Sequence, residues 1–277
     1  MKRLNLLENL ISRIGVPVER KVVNAGTIKT NYLFAGNGQT VLLLHGAAAG
    51  AITWYPVIGP LSTYSQVIAP DVVGYGESDK PSASYDRTYF VSWLRDFLDT
   101  LGLQTVSIVG SSQGGSIALQ FALDNPERVD RLVLADSSSL GKDMPLGAKL
   151  GFMWSNTLPS SLAGKWLSRY LVHDPKSVDE TWAEYSLEIQ RMPGGKRAFW
   201  QGLGKATAPI PIEQLSKISH RTLIIWGKEE KLFPLSHAET AQRIMPNAQL
   251  YIIPEAGHIT FFDQPEIFNN VLKRFLT

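Results

Sequence analysis

The residues best suited to chemistry in this sequence are a serine and two glycines in the pattern Gly110-x-Ser112-x-Gly114. The apolar run Val106–Val109 precedes them and predicts a buried strand, and Ser116–Leu123 follows with a helical pattern. A sharp strand-to-helix turn of this kind, a nucleophile elbow, lifts a serine hydroxyl above the edge of a sheet. Free N–H groups at the start of the helix favour developing negative charge. We therefore predict that Ser112 is a nucleophile for acyl transfer.

A serine hydroxyl needs a base to accept its proton and an acid to orient that base. Of the five histidines, His258 lies in a loop directly after the last apolar run, where its side chain can face the serine turn. His45 also ends an apolar run, but the small residues that follow it suit a different role. The other histidines lie in polar contexts that suit surface or capping positions. We predict that His258 is the base.

Short apolar runs alternate with helical patterns along the chain, and the runs are rich in Val, Ile and Leu with little alternation. Such runs are typical of strands buried on both faces. The pattern predicts a mostly parallel α/β sheet of eight strands flanked by helices. Before these runs, residues 17–24 and 28–34 predict a hairpin of half-buried strands. The runs buried on both faces are Val41–Leu44, Gln66–Ala69, Val106–Val109, Leu132–Leu134, Leu223–Trp226 and Gln249–Ile253, and the main helices are Thr88–Leu101, Ser116–Leu123, Ser236–Ile244 and Pro265–Leu276.

One stretch interrupts this alternation. Residues 138–216 contain no convincing buried strand but hold four of the seven tryptophans. We interpret them as a helical cap inserted between two parts of a core domain, residues 1–137 and 217–277. The tryptophans are Trp154, Trp166, Trp182 and Trp200.

Composition limits the classes of protein to consider. The 277 residues are 44% hydrophobic and 19% charged, which is ordinary for a globular protein, and the net charge of +2 gives no reason to expect a nucleic-acid partner. The absence of cysteine excludes disulfides and thiolate chemistry, and fits a cytoplasmic location. The first residues predict an amphipathic helix rather than a signal peptide, and no apolar run is long enough to span a membrane.

Several motifs in order resemble the α/β-hydrolase superfamily over nearly the whole chain. His45-Gly46 resembles its oxyanion loop, Asp71–Ser78 its glycine-rich turn, Gly110–Gly115 its elbow, Trp226–Pro234 its acid loop and Gly257-His258 its base loop. The resemblance implies an eight-stranded sheet with a cap after the sixth strand. It also implies a serine hydrolase that requires no metal or organic cofactor.

The acid of the triad has two candidates. In Gly227-Lys228-Glu229-Glu230 the family usually has Asp where this chain has Glu230, and either carboxylate can orient an imidazole. Asp136 also follows a predicted strand, at a position where some family members place the acid. We favour Glu230 and keep Asp136 as the alternative.

The resemblance also assigns the oxyanion hole to the backbone N–H groups of Ala47 and Gln113. Aromatic residues of the predicted cap, together with the residue after the base, suggest an apolar pocket. Our candidates for its lining are Trp154, Phe199, Trp200 and Ile259. The substrate we expect is a small to medium, largely apolar carboxylic ester. The oligomeric state stays open between monomer and dimer.

Two other functions stay open. Hydrolases that cleave carbon–carbon bonds in aromatic ring-cleavage products share this triad, but they usually have Asn at position 111 and Trp after the base, where this chain has Ser111 and Ile259. A cap arginine for their substrate carboxylate is not obvious, although Arg191 and Arg197 are possible. A small-molecule receptor or signalling partner on the same fold is the non-enzymatic alternative.

Overall fold

The computed structural model describes residues 1–141, 144–202 and 204–277, and one sheet runs through it. The order of the strands in this sheet is 1-2-4-3-5-6-7-8. Strands 1 and 2 pair antiparallel, as do strands 2 and 4, and the other pairs are parallel. The prediction of an eight-stranded, mostly parallel sheet is therefore confirmed. The strands are β1 (Glu19–Ala25), β2 (Ile28–Ala35), β3 (Thr40–Leu44), β4 (Gln66–Pro70), β5 (Val106–Ser111), β6 (Val129–Ala135), β7 (Arg221–Gly227) and β8 (Ala248–Ile253).

The parallel strands end together at one edge of the sheet. Ser111 at the end of β5 lies opposite Ala135 of β6, and Ala135 lies opposite Ile225 of β7. Residues that follow these strands therefore emerge at the same edge. In parallel sheets this carboxyl edge is where ligands bind.

Helices cover both faces of the sheet. The sequence pattern does not predict α2, because Pro56, Gly59 and Pro60 lie within its eight residues and are poor helix formers. The helices are α1 (Lys2–Ser12), α2 (Tyr55–Ser62), α3 (Arg87–Thr100), α4 (Gln113–Asp124), α5 (Leu146–Thr157), α6 (Ser161–Leu171), α7 (Glu180–Gln190), α8 (Arg197–Gly202), α9 (Ile212–Leu215), α10 (Leu235–Ile244), α11 (Thr260–Asp263) and α12 (Pro265–Leu276).

The core is divided by the sheet into two layers. Successive side chains of a strand point to opposite faces. Leu42 and Leu44 of β3 accordingly pack with α3 and α4, whereas Val41 and Leu43 pack with α2 and α12. All four are nearly fully buried. A strand buried on both faces needs apolar residues at every position, which explains its unbroken apolar sequence.

Helices α5 to α9 follow the sixth strand and precede β7, as predicted for an inserted segment. Trp182 of this segment packs against residues outside it. Its ring lies edge-on to Phe262 at 4.9 Å between ring centres, and its Nε1 donates a hydrogen bond to Thr53 Oγ1. The predicted bounds of the cap, 138–216, include residues 142, 143 and 203, which lie outside the described residues. Within the described part of the chain, no helix combines the length and apolar character needed to cross a membrane.

Candidate active site

Ser112 lies on the turn between β5 and α4, with φ +52° and ψ −119°. A non-glycine residue at positive φ is strained, and the surrounding structure must hold it there. The glycines on either side allow the close contacts of this turn. A Cβ on Gly110 would lie 2.5 Å from the carbonyl oxygen of Gly114. A Cβ on Gly114 would overlap the carbonyl oxygen of Leu44. Both positions therefore require glycine.

Hydrogen bonds from β6 and the loop after it hold the serine turn. The Ser112 amide donates to the Ala135 carbonyl at 3.1 Å. The Ser112 carbonyl accepts the amide of Ser138 at 3.1 Å and its hydroxyl at 3.1 Å. The strained backbone of the turn is thus anchored to the neighbouring strand.

His258 and Glu230 form a direct, buried hydrogen bond. Nδ1 of His258 donates to Oε2 of Glu230 at 2.5 Å, and the two side chains are 3% and 1% exposed. The other oxygen of Glu230 accepts the amide of Leu232 at 2.5 Å. Phe233 packs edge-on against the imidazole at 5.5 Å between ring centres. Because Glu230 holds Nδ1–H, the nitrogen left for proton transfer is Nε2.

Asp136, the alternative acid, has other partners. Its side chain is fully buried, its φ is +43°, and Oδ1 accepts the Gly227 amide at 2.8 Å. Burial, and then the nearby charge of Glu230, raise the pKa of Asp136 well above its usual range. The structure therefore brings two carboxyl groups close together and favours the neutral form of Asp136.

The loop after β3 passes directly beside the serine. A Cβ on Gly46 would lie 3.2 Å from Cβ of Ser112, so the following residue, Ala47, is adjacent to the turn. His45 fixes the start of this loop, since Nδ1 donates to the Gly46 carbonyl at 2.8 Å and Nε2 accepts the Val72 amide at 3.0 Å. Burial lowers the pKa of His45 to about 4, so its imidazole is neutral at neutral pH.

Asp71 ties the same loop to the glycine-rich turn after β4. Its carboxylate accepts the amide of Ala51 at 2.6 Å and that of Glu77 at 2.8 Å. Burial raises the pKa of Asp71 to about 6, although these hydrogen bonds oppose the rise. Next to it, Tyr75 Oη donates to Oε1 of Gln113 at 3.1 Å. The motif Asp71–Ser78 is recognisable in the sequence, but these contacts are not.

Asp263 is a residue that sequence reasoning missed. Its carboxylate accepts the Gly257 amide at 2.8 Å, directly before the predicted base. It also accepts the His173 amide and the Ser177 hydroxyl, each at 2.8 Å, from the inserted segment. One carboxylate thus links the base loop to the segment above it. The only sequence signal is an acidic residue five positions after His258.

The residues predicted to line a pocket differ in exposure. Phe199 and Ile259 are buried, whereas Trp154 and Trp200 are each more than a third exposed. Their contact with a substrate stays a prediction, as do the oxyanion roles of the Ala47 and Gln113 amides. Among the described residues no group of three or more metal-binding side chains lies together.

Comparison with known proteins identifies the family. A family model described as alpha/beta hydrolase fold matches residues 39–265, so the chain belongs to the α/β-hydrolase family.

Two curated relatives cover nearly the whole chain. It is 32% identical to a 2-hydroxymuconate semialdehyde hydrolase from Pseudomonas putida, over 94% of each chain. It is 30% identical to a 2-hydroxy-6-oxo-2,4-heptadienoate hydrolase from Pseudomonas putida, over 92% of this chain and 95% of the other.

Solved structures of two kinds superpose on the fold. A meta-cleavage product hydrolase from Pseudomonas fluorescens matches with a TM-score of 0.84 and 29% identity, over 92% of this chain and 97% of the other. A carboxylesterase from Bacillus subtilis matches with a TM-score of 0.89 over 99% and 98% of the chains, and its 23% identity shows a common fold alone. The chain is therefore a hydrolase whose neighbours include both esterases and carbon–carbon hydrolases.

Proposed function

We propose that Ser112, His258 and Glu230 form a catalytic triad that hydrolyses small to medium, largely apolar carboxylic esters through an acyl-enzyme. The observation that carries this proposal is the buried hydrogen bond between His258 and Glu230, at the same sheet edge as a strained serine turn. A serine with a base and an orienting acid is the minimal set for this chemistry.

In the proposed reaction, Ser112 Oγ attacks the ester carbonyl carbon while Nε2 of His258 takes the hydroxyl proton. The imidazolium is stabilised by Glu230 and then gives its proton to the departing alcohol, which leaves an acyl-serine. His258 next takes a proton from water, which attacks the acyl-serine. Collapse of the second intermediate releases the acid and returns the proton to Ser112.

The negative charge of each tetrahedral intermediate needs donors that are already in place. We assign this role to the backbone N–H groups of Ala47 and Gln113. Ala47 follows Gly46, which lies beside the serine, and Gln113 begins α4, where the helix dipole favours an anion. Two buried side chains hold the loop that contains Ala47: His45 bonds to the Gly46 carbonyl, and Asp71 accepts the Ala51 amide.

We propose that residues 138–216 act as a cap over this edge, with residues 1–137 and 217–277 as the core. Asp263 supports this arrangement because it bonds both the base loop and the segment around His173. We place the buried side chains of Phe199 and Ile259 at an apolar acyl pocket. The contact of Trp154 and Trp200 with substrate stays a prediction.

The ester function is favoured over carbon–carbon cleavage by the contacts of Arg191 and Arg197, the two cap arginines named as candidates for a substrate carboxylate. A carbon–carbon hydrolase of this family needs a cation for its substrate carboxylate. Arg191 is half exposed and pairs with Glu188 and the Pro159 carbonyl, and Arg197 donates to the Lys80 carbonyl. Both guanidinium groups thus already bond to groups of the protein. An uncharged ester needs neither of them.

Hydrolysis of carbon–carbon bonds in ring-cleavage products is the second candidate. It is favoured by the curated relatives, two of which are 30% and 32% identical over nearly the whole chain. The same serine, base and oxyanion donors would serve this reaction.

The decisive experiment compares p-nitrophenyl esters of increasing acyl length with a vinylogous diketo acid. Wild type is compared with Ser112→Ala and with the control Ser111→Ala, which removes the neighbouring hydroxyl from the buried end of β5. We expect Ser112→Ala to lower kcat/KM for esters by about 10⁴-fold or more. Ser111→Ala should stay within about tenfold of wild type, since its hydroxyl has no part in the mechanism.

Higher kcat/KM on the diketo acid than on every ester would replace the esterase proposal with the carbon–carbon hydrolase. Very slow turnover of both substrates by a folded wild type would favour a receptor. Equal losses in the two serine variants would contradict the assignment of Ser112.

A further inference from the structure

The outer face of the α5–α6 hairpin is apolar and exposed to solvent. We call this surface the hairpin face. Its most exposed members, Leu146, Leu158 and Leu162, are 70%, 67% and 64% exposed. Soluble proteins expose single apolar side chains often but seldom group them, so a grouped set indicates an interaction surface. The hairpin face consists of Leu146, Leu150, Met153, Leu158, Leu162 and Trp166.

Close packing of the two helices brings these side chains onto one surface. A Cβ on Gly147 would overlap Oη of Tyr170, and a Cβ on Gly151 would lie 3.0 Å from Cδ1 of Trp166. Since Gly147 meets the end of α6 and Gly151 meets its middle, the helices run antiparallel. On α5, Leu146 and Leu150 are four residues apart and therefore share a side.

The charges of the hairpin are of one sign. From Met144 to Val172 the sequence contains three cationic residues, Lys149, Lys165 and Arg169, and no aspartate or glutamate. The guanidinium of Arg169 lies 5.5 Å from the centre of the Trp166 ring. Leucine and tryptophan flanked by lysine and arginine are typical of helices that lie at the interface of an anionic membrane.

We propose that the hairpin face docks on the surface of an anionic phospholipid bilayer. The leucines and Trp166 enter the headgroup region, where burial removes apolar area from water. Lys149, Lys165 and Arg169 meet lipid phosphates. This peripheral contact needs no membrane-spanning helix, and it goes beyond the ester hydrolysis proposed above.

The same charges disfavour a second copy of the chain as the partner. A two-fold symmetric dimer places the same surface patch on both sides of the interface. The three cations of one hairpin would then oppose the three cations of the other, and neither hairpin contains an acid. Anionic lipid headgroups supply the missing negative charge.

Binding to vesicles tests this proposal. The Ser112→Ala protein is used so that no lipid is hydrolysed, which separates this test from the test of catalysis. Co-sedimentation is measured with vesicles of phosphatidylcholine alone and with vesicles containing one quarter phosphatidylglycerol. We expect binding to the anionic vesicles at least tenfold tighter than to the neutral ones, and weakened by added salt.

Two variants locate the contact. Leu150→Ser with Leu158→Ser and Leu162→Ser removes exposed apolar area, and Lys149→Glu with Lys165→Glu reverses two charges. Each should weaken binding to anionic vesicles at least tenfold with an unchanged circular dichroism spectrum. The matched controls lie outside the hairpin. Val22→Ser with Tyr251→Ser and Ile252→Ser changes three side chains that are 50%, 40% and 39% exposed, and Lys29→Glu with Lys273→Glu reverses two charges. The controls should bind as the parent does.

Three results would overturn the proposal. The first is the absence of binding to either kind of vesicle. The second is equal weakening by the hairpin variants and their controls, which would show nonspecific attraction. The third is a dimer in sedimentation velocity that the triple leucine variant dissociates, since a second copy would then cover the hairpin face.

Discussion

Two regions of the sheet edge each contain a buried histidine and a buried carboxylate, but they use them differently. On the β7–β8 side, His258 bonds directly to Glu230 at 2.5 Å. On the β3–β4 side, both ring nitrogens of His45 bond to backbone groups. The carboxylate there, Asp71, likewise bonds to the amides of Ala51 and Glu77.

The difference shows that partners decide a residue's role. A carboxylate at Nδ1 stabilises an imidazolium and leaves Nε2 to exchange protons, which suits a base. Backbone partners at both nitrogens require one N–H and one lone pair, which only a neutral imidazole provides. We therefore interpret the first pair as catalytic machinery and the second as its support.

The largest expected effect comes from exchanging the two histidines for glutamine. His258→Gln removes the base and should lower kcat/KM for esters on the order of 10⁵-fold. His45→Gln should keep kcat/KM within about tenfold but lower the free energy of unfolding by about 1–3 kcal/mol. One side-chain amide cannot take the positions of both ring nitrogens, so a buried backbone group loses its partner. Ester kinetics and urea unfolding of both variants measure this contrast. A similar loss of activity in both would contradict the division of roles.

The two neighbouring acids provide a second, smaller contrast. Glu230→Gln should lower kcat about 10³- to 10⁴-fold, because a neutral amide no longer stabilises the imidazolium. Asp136→Asn should lower kcat less than about tenfold, because the carbonyl oxygen of the asparagine side chain can still accept a hydrogen bond from the Gly227 amide. Steady-state kinetics with circular dichroism as the folding control measure both. If Asp136→Asn is the more damaging change, Asp136 is the triad acid.

The smallest effect concerns stability in acid. The pKa of His45 is lowered by burial from 6.5 to about 4, so between these pH values the unfolded chain binds a proton that the folded protein excludes. The free energy of unfolding should therefore fall as pH drops from about 6.5 to about 4, by about 1.4 kcal/mol per pH unit from this residue. Asp71 has the opposite effect on the free energy of unfolding. Burial raises its pKa from 3.8 to about 6, so between these pH values the folded protein binds a proton that the unfolded chain does not, and stability rises as pH falls.

The contribution of His45 is obtained by difference. Urea unfolding at pH 7, 6 and 5 is compared between wild type and His45→Gln, so that Asp71 and the other carboxylates cancel. The difference in the free energy of unfolding between wild type and His45→Gln should become smaller toward pH 5. If this difference in the free energy of unfolding did not change with pH, His45 would not be held neutral in the folded protein.

Much of the fold was predictable because its signals are local. The unbroken apolar runs at Val41–Leu44 and Leu223–Trp226 predict strands buried on both faces, and both lie within strands of the sheet. Helix α2 was not predictable, since prolines and a glycine obscure its pattern. Tertiary packing stabilises that helix although the helix propensity of its residues is weak.

For the active site, the sequence by itself determined the serine turn and the loop that holds His258. Glycine spacing and position after a strand are properties of neighbouring residues. Only the tertiary structure showed that Glu230 bonds to His258, that Asp263 joins the base loop to the inserted segment, and that the leucines of the hairpin face are exposed. These depend on the path of loops and on which helix sides meet, which arise from contacts between residues far apart in the chain.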